Sequence, residues 1–202
     1  MKIHYLKLSL LTFVSLALLS LGAKAQVTGS NINVGVSNSL SGAGGPGVFG
    51  NGCTTAANSA YAFGHGSICN GYFSFASGWV STASGTASFA MGFIATAAGD
   101  DSAAIGSYAT ANSYNEMVIG RYNLGSVSTI GSTYNKTAWV ATDPLLELGN
   151  GTGNTLGTAS NALTVFKNGN VQAGGSIQAH SIMRCAAGGD LSMGSYTSGT
   201  AP

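Results

Sequence analysis

The side chains that could carry chemistry are few and scattered. His65 and His180 are the only histidines beyond the N-terminal segment, and neither sits in a pattern that pairs it with an activated nucleophile. Asp100 and Asp101 are adjacent at one turn. Two carboxylates there could hold a cation weakly, but a solvated turn explains them as well, and no calcium-type GGxGxD repeat accompanies them. Cys53, Cys69 and Cys185 are an odd number. They form no CxxC and no His–Cys set with zinc spacing. Gly42-Ala43-Gly44-Gly45-Pro46-Gly47 spells GxGxxG. A dinucleotide loop needs a helix directly after it to hold the pyrophosphate, and here Pro46 intervenes and no helical pattern follows. These patterns point to no enzyme, no cofactor and no metal.

The elements that position these residues are set by a strict repeat. Glycine recurs every seventh residue at Gly64, Gly71, Gly78, Gly85, Gly92, Gly99 and Gly106, lapses at Ser113 and returns at Gly120. Two positions before each glycine stands Ala in most units, and four before stands Ser or Ala. Cys69 occupies one of the alanine slots, which reads as a small buried thiol. Cys53 and Cys69 are out of phase by two residues, so the spacing does not favour a disulfide. A seven-residue period can mean a coiled coil, but a glycine in every unit, with β-branched and aromatic neighbours, is poor helix material. The period therefore predicts a short strand and a turn per unit, with glycine at the turn or where backbones approach closely.

Alternation sorts the side chains into two faces. The Ser/Ala, Ala and Gly positions share one nearly flat face. The intervening positions alternate between two kinds of unit. One kind carries Tyr61/Phe63, Phe75/Ser77, Phe89/Met91, Ala103/Ile105 and Met117/Ile119; the other carries Ile68/Asn70, Thr82/Ser84, Thr96/Ala98 and Thr110/Asn112. The true repeat is fourteen residues with two unlike halves. The expected fold is all-β: a parallel β-roll, or β-solenoid, of about four to five coils. Its two sheets pack through the small faces, one outer face is polar and the other apolar.

An exposed apolar stripe of eight large side chains forfeits roughly 1.5–3 kcal/mol each. A patch of that size normally has a partner. Tyr61, Phe63, Phe75, Phe89, Met91, Ile105, Met117 and Ile119 are therefore expected to form the interface of a cyclic homo-oligomer, most simply a trimer. The alternative is that the residues following the repeat fold back over the stripe, but they are too few to cover it all.

The chain divides into five parts. Residues 1–25 read as a signal peptide: Lys2, His4 and Lys7 precede an apolar run, Leu8 to Leu21, and Ala23-Lys24-Ala25 is a small-x-small cleavage site. Residues 26–50 read as a flexible Gly/Ser/Asn lead-in with one weak strand. Residues 51–123 are the repeat block, 124–171 a small β closing module, and 172–202 a thin tail. Cleavage would leave Lys136, Lys167, Arg121 and Arg184 against six acids, a net charge of about −2. So few charges offer nothing to nucleic acid or to an anionic membrane. No later apolar stretch is long enough to span a bilayer. The expected location is secreted or at the cell surface.

Ser88-Phe89-Ala90-Met91-Gly92, Ala95-Thr96-Ala97-Ala98-Gly99 and Ser102-Ala103-Ala104-Ile105-Gly106 resemble the S-x-A-x-G and A-x-A-x-G repeats of YadA-like heads in trimeric autotransporter adhesins. The stretch from Glu116 to Asn123, with Trp139, Asp143-Pro144-Leu145 and Asn161 to Val171, is similar to the segment after such repeats in bacterial surface and fibre proteins. The resemblance implies a left-handed roll, a homotrimer and adhesion. It does not extend to the coiled-coil stalk or the C-terminal barrel of that family. Tyr72, Phe73, Trp79, Phe93 and Tyr108 follow the glycines at the corners and are expected to offer a ligand surface for matrix, host-surface or neighbouring-cell partners. Two other functions fit the same residues. One is a fibre or appendage spacer without a ligand. The other is an ice- or crystal-surface binder using Thr82, Thr96 and Thr110, although Ser84, Ala98 and Asn112 blur a regular lattice.

Overall fold

A computed structural model describes residues 26–28, 31–42 and 44–175. Residues 1–25, expected as a signal peptide, the remainder of the tail from 176, His180, Arg184 and Cys185 lie outside the described residues. The chain forms a parallel β-solenoid of six coils. Each coil pairs one long strand with one two-residue strand. The long strands are β2 (Asn31–Val36), β4 (Gly47–Asn51), β6 (Tyr61–His65), β8 (Phe75–Trp79), β10 (Phe89–Phe93) and β12 (Ala103–Ser107), followed by β14 (Met117–Arg121). The short strands are β3 (Ser39–Leu40), β5 (Thr54–Thr55), β7 (Ile68–Cys69), β9 (Thr82–Ala83), β11 (Thr96–Ala97) and β13 (Thr110–Ala111). The short strands make a six-stranded sheet. The long strands belong to an eleven-stranded sheet, opened by β1 (Gln26–Thr28) and closed by β15 (Pro144–Asn150), β16 (Asn161–Phe166) and β17 (Val171–Ala173).

Register follows the sequence period. Phe89 to Phe93 pairs residue for residue with Phe75 to Trp79 on one side and with Ala103 to Ser107 on the other. The core is the column of small residues between the sheets: Ala62, Ala76, Ala90 and Ala104 from long strands face Cys69, Ala83, Ala97 and Ala111 from short ones, all fully buried. Buried serines are tolerated because each hydroxyl finds a carbonyl. Ser74, Ser88 and Ser102 donate to Gly71, Gly85 and Gly99 at 2.6 Å, and Ser81 reaches across the roll to Gly92 at 2.9 Å. Both thiols are free: Cys69 Sγ donates to the Tyr61 carbonyl at 2.9 Å and Cys53 Sγ to that of Gly64 at 3.2 Å. Burial pushes the Cys69 thiol up to about 11.

The glycines act chiefly through close approach. A Cβ on Gly71, Gly85 or Gly99 would lie 1.9–2.0 Å from the carbonyl oxygen of the next coil. The glycines of the long strands, Gly64, Gly78, Gly92, Gly106 and Gly120, combine close approach with φ of 104–137°. The left-handed position falls two residues later and is taken by Phe73, Val80, Ala87, Ile94, Asp101, Tyr108, Asn115 and Tyr122, with φ between 43° and 57°. Glycine itself takes this corner at Gly52 and Gly66, with φ of 65° and 64°.

The roll also begins earlier than its glycine period. Residues 31–50, within the stretch expected as lead-in, form β2, β3 and all but the last residue of β4 in the two sheets. Gly35 pairs with Gly50, fifteen residues on, whereas Gly50 pairs with Gly64, fourteen on. The extra residue lies between β3 and β4, so the segment spelling GxGxxG is a lengthened corner running into a strand. The closing module extends the long sheet instead of standing beside it. Leu146, Leu148 and Gly149 pair in parallel with Met117, Ile119 and Gly120, and β16 and β17 follow antiparallel.

Candidate functional site

Two columns of side chains stand on the outer face of the long sheet. One column runs Tyr61, Phe75, Phe89, Ala103, Met117, Leu146; the next runs Phe49, Phe63, Ser77, Met91, Ile105, Ile119, Leu148. All eight residues expected at an interface share this face. Its rings stack along the rod, with centroids 4.7 Å apart for Phe49–Phe63, 5.3 Å for Phe63–Phe75 and 5.1 Å for Phe75–Phe89. Stacking at the coil spacing contributes to packing within the chain. It does not cover the face: Met91 is 42% exposed and Ile119 40%. The closing module lengthens the stripe instead of covering it, because Leu148 pairs with Leu163 and Leu146 with Val165 on the same face. Ile32 and Val34 lengthen it at the other end.

The corner aromatics fall on two edges. Trp79 and Phe93 end long strands, with Tyr108 and Tyr122 just beyond β12 and β14. His65 stacks on Trp79 at 4.2 Å, Phe93 lies tilted 5.5 Å from Tyr108, and Tyr108 stacks on Tyr122 at 4.7 Å. Tyr72 and Phe73 occupy the opposite corner, where Phe73 is 67% exposed. The threonine ladder is in register, Thr82 beside Thr96 beside Thr110, and is preceded by Ile68.

The titratable side chains that converge lie at the end of the roll, where sequence reasoning placed nothing. In each coil the short strand donates N–H groups to the next coil: Thr82 to the Ala95 carbonyl and Thr96 to that of Ala109, each at 2.8 Å. Thr110 has no following coil. Its N–H donates to Asn123 Oδ1 at 2.9 Å, and Asn123 Nδ2 donates back to the Thr110 carbonyl at 2.9 Å. Similarly, Ala98 and Gly99 both donate to the Ala111 carbonyl. One turn later Asn112 and Ser113 both donate to Glu116 Oε2, at 2.8 and 2.7 Å. Two side chains thus imitate the backbone of a missing coil and close the sheet edge.

Behind them stands Glu147, which accepts from Asn123 Nδ2 and from the Gly125 N–H. Ser113, the lapse in the glycine column, donates its hydroxyl to the Pro144 carbonyl at 2.7 Å and accepts from Lys167 Nζ at 3.1 Å. Asp143 accepts from the Asn135 N–H at 2.8 Å. Glu116 and Glu147 are fully buried. Burial, with Glu147 as neighbour, pushes the Glu116 carboxyl up to about 8. Burial raises Glu147 as well and lowers Lys167, against the pull of Asp143 and Glu116. The signal in the sequence was an acid standing in slots that elsewhere hold Ser or Ala.

Among the described residues the scattered candidates form no common site. The Asp100 carboxylate accepts the Thr86 N–H at 2.7 Å and so ties two coils together. Among the described residues no three His, Cys, Asp or Glu side chains converge as metal ligands would. No helix among them is long and apolar enough to cross a membrane. No protein-family model, curated protein or solved structure matches this chain.

Proposed function

We propose that the chain is an exported, adhesin-like structural protein that works as a homotrimer, its copies meeting through the apolar face of the long sheet. The observation that carries this reading is that face: it is continuous from Ile32 to Val165 and still two-fifths exposed at Met91 and Ile119. A thin roll filled with alanine and serine buries little apolar area alone, so sharing the flank among sister copies supplies the missing core. A cyclic arrangement closes the contact and prevents open-ended growth. The secretory-type N-terminus and the S-x-A-x-G resemblance support the same reading.

The corner aromatics Trp79, Phe93 and Tyr108, with Tyr72 and Phe73 opposite, would face matrix, host-surface or neighbouring-cell ligands. Three copies on one rod compensate for weak single contacts through avidity. No catalytic role, cofactor or nucleic-acid partner belongs to this reading. A ligand-free fibre spacer is the second reading, favoured by the way Trp79 stacks on His65 and Tyr108 on Tyr122 between neighbouring coils. Binding to immobilised matrix proteins and glycans separates the two. Adhesion predicts retention that is lost in Trp79→Ser/Phe93→Ser at unchanged oligomeric mass. A spacer gives no retention for either protein.

A further inference from the structure

The carboxyl pair at the end of the roll has an arrangement that packing alone does not require. One oxygen of Glu116 accepts two backbone N–H groups, while its other oxygen is fully buried and has no hydrogen-bond partner. Glu147 stands on the neighbouring strand β15 opposite Val118, two residues along from Glu116 and buried like it, and accepts from Asn123 and Gly125. The other groups facing the pair are Asp143 ahead of β15, Tyr134 from the loop before it, and Lys167 after β16. Lys167, the cation among them, gives its hydrogen bond to Ser113. Two carboxylates together in a dry site, without an ion-paired hydrogen bond to a cation, favour the neutral forms. Glu147 ties β15 to the segment after β14 through Asn123 and Gly125, while Glu116 holds the last turn of the roll through Asn112 and Ser113, and Ser113 in turn donates to the Pro144 carbonyl.

We propose that Glu116 and Glu147 form a proton-held latch: while the pair keeps its protons the closing strands stay docked on the last coil, and ionisation of the pair undocks them reversibly. The ionised pair would repel internally and seek water, which it reaches only if β15 and β16 move off β14. What opens is the end of the long sheet, with the edge of β14 uncovered. Such edges are templates for pairing with another strand, so the latch would control whether the rod end is closed or adhesive.

The test is hydrogen–deuterium exchange on the mature full-length chain at about pH 6 and about pH 9.5, corrected for the intrinsic base-catalysed rate. Protection over 144–150 and 161–166 is expected to fall at least about tenfold relative to β8–β12 at the higher pH, and to return on re-acidification. In Glu116→Gln/Glu147→Gln, where amide oxygens can still accept, the same segments should stay protected at both values. The infrared band of protonated carboxylic acid should be present in the wild type at the lower pH and absent at the higher. If the double variant does not fold, the wild-type exchange ratio and infrared band decide. A constant exchange ratio, an equal loss of protection in the double variant, or no protonated-acid band at about pH 6 would each overturn the proposal.

Discussion

Replacing Gly92 by alanine would put a Cβ 2.0 Å from the carbonyl oxygen of Gly106. Ordinary contact begins at 3.4 Å, so β10 and β12 would have to part locally by more than an ångström. That weakens about two ladder hydrogen bonds, each worth about 0.5–1.5 kcal/mol. Gly92 also has φ +136°, a conformation that costs a side-chain-bearing residue about 1–3 kcal/mol. Together the two effects predict a loss of about 2–6 kcal/mol. They can be separated within this chain. Gly85 has the same close approach, 2.0 Å to the Gly99 carbonyl, without the unusual φ. Gly169 has φ +87° and open space around it, and Gly157 has open space and ordinary φ. The expected costs are about 2–3 kcal/mol for Gly85→Ala, about 1 for Gly169→Ala and within about 0.5 for Gly157→Ala. Urea unfolding midpoints at one fixed protein concentration give the order. If Gly85→Ala costs no more than Gly169→Ala, coil-to-coil contact is not what selects glycine, and the reasoning fails.

Three further outcomes follow from the same geometry. Val80 is a β-branched residue at φ 54°, so Val80→Asn should relieve about 1 kcal/mol and raise the melting temperature by about 2–4 °C; a lower melting temperature would contradict the strain. Asn123→Ala leaves Thr110 unpaired at both backbone groups and takes a donor from Glu147, and should lower urea-derived stability by about 2–4 kcal/mol. Glu116 binds its proton more tightly when folded, about 8 against an ordinary 4.5. Its contribution is therefore complete below about pH 4.5 and is lost as pH rises toward about 8, with a slope of at most about 1.4 kcal/mol per pH unit. Unfolding measured across that window should show the decline in the wild type and a flatter profile in Glu116→Gln.

The fourteen-residue coil, its unlike halves and its small-residue interior were legible because every unit from Gly64 onward repeats side-chain size at fixed spacing. The apolar face was legible for the same reason, and Phe75, Phe89 and Ile105 stand where the alternation puts them. The first coils were hidden by one extra residue before Gly47 and by Ala57 in a glycine position, which together break the period without breaking the roll. Leu146-Glu147-Leu148-Gly149 was hidden differently. Gly149 returns to the glycine column, since a Cβ on Gly120 would meet its carbonyl at 2.2 Å, but a glutamate occupies the alanine slot beside it. The left-handed corners were illegible because Phe73, Val80 and Ile94 are residue types that avoid that conformation. Only stacked neighbours on both sides force them into it.

Sedimentation equilibrium of residues 26–202 tests the proposed sharing of the apolar flank most directly. The prediction is the mass of three chains, reduced to one chain in Met91→Ser/Ile119→Ser. A wild type that sediments as a single folded chain at every concentration would show that Phe75, Phe89 and Ile105 need no sister copy, and would contradict the account.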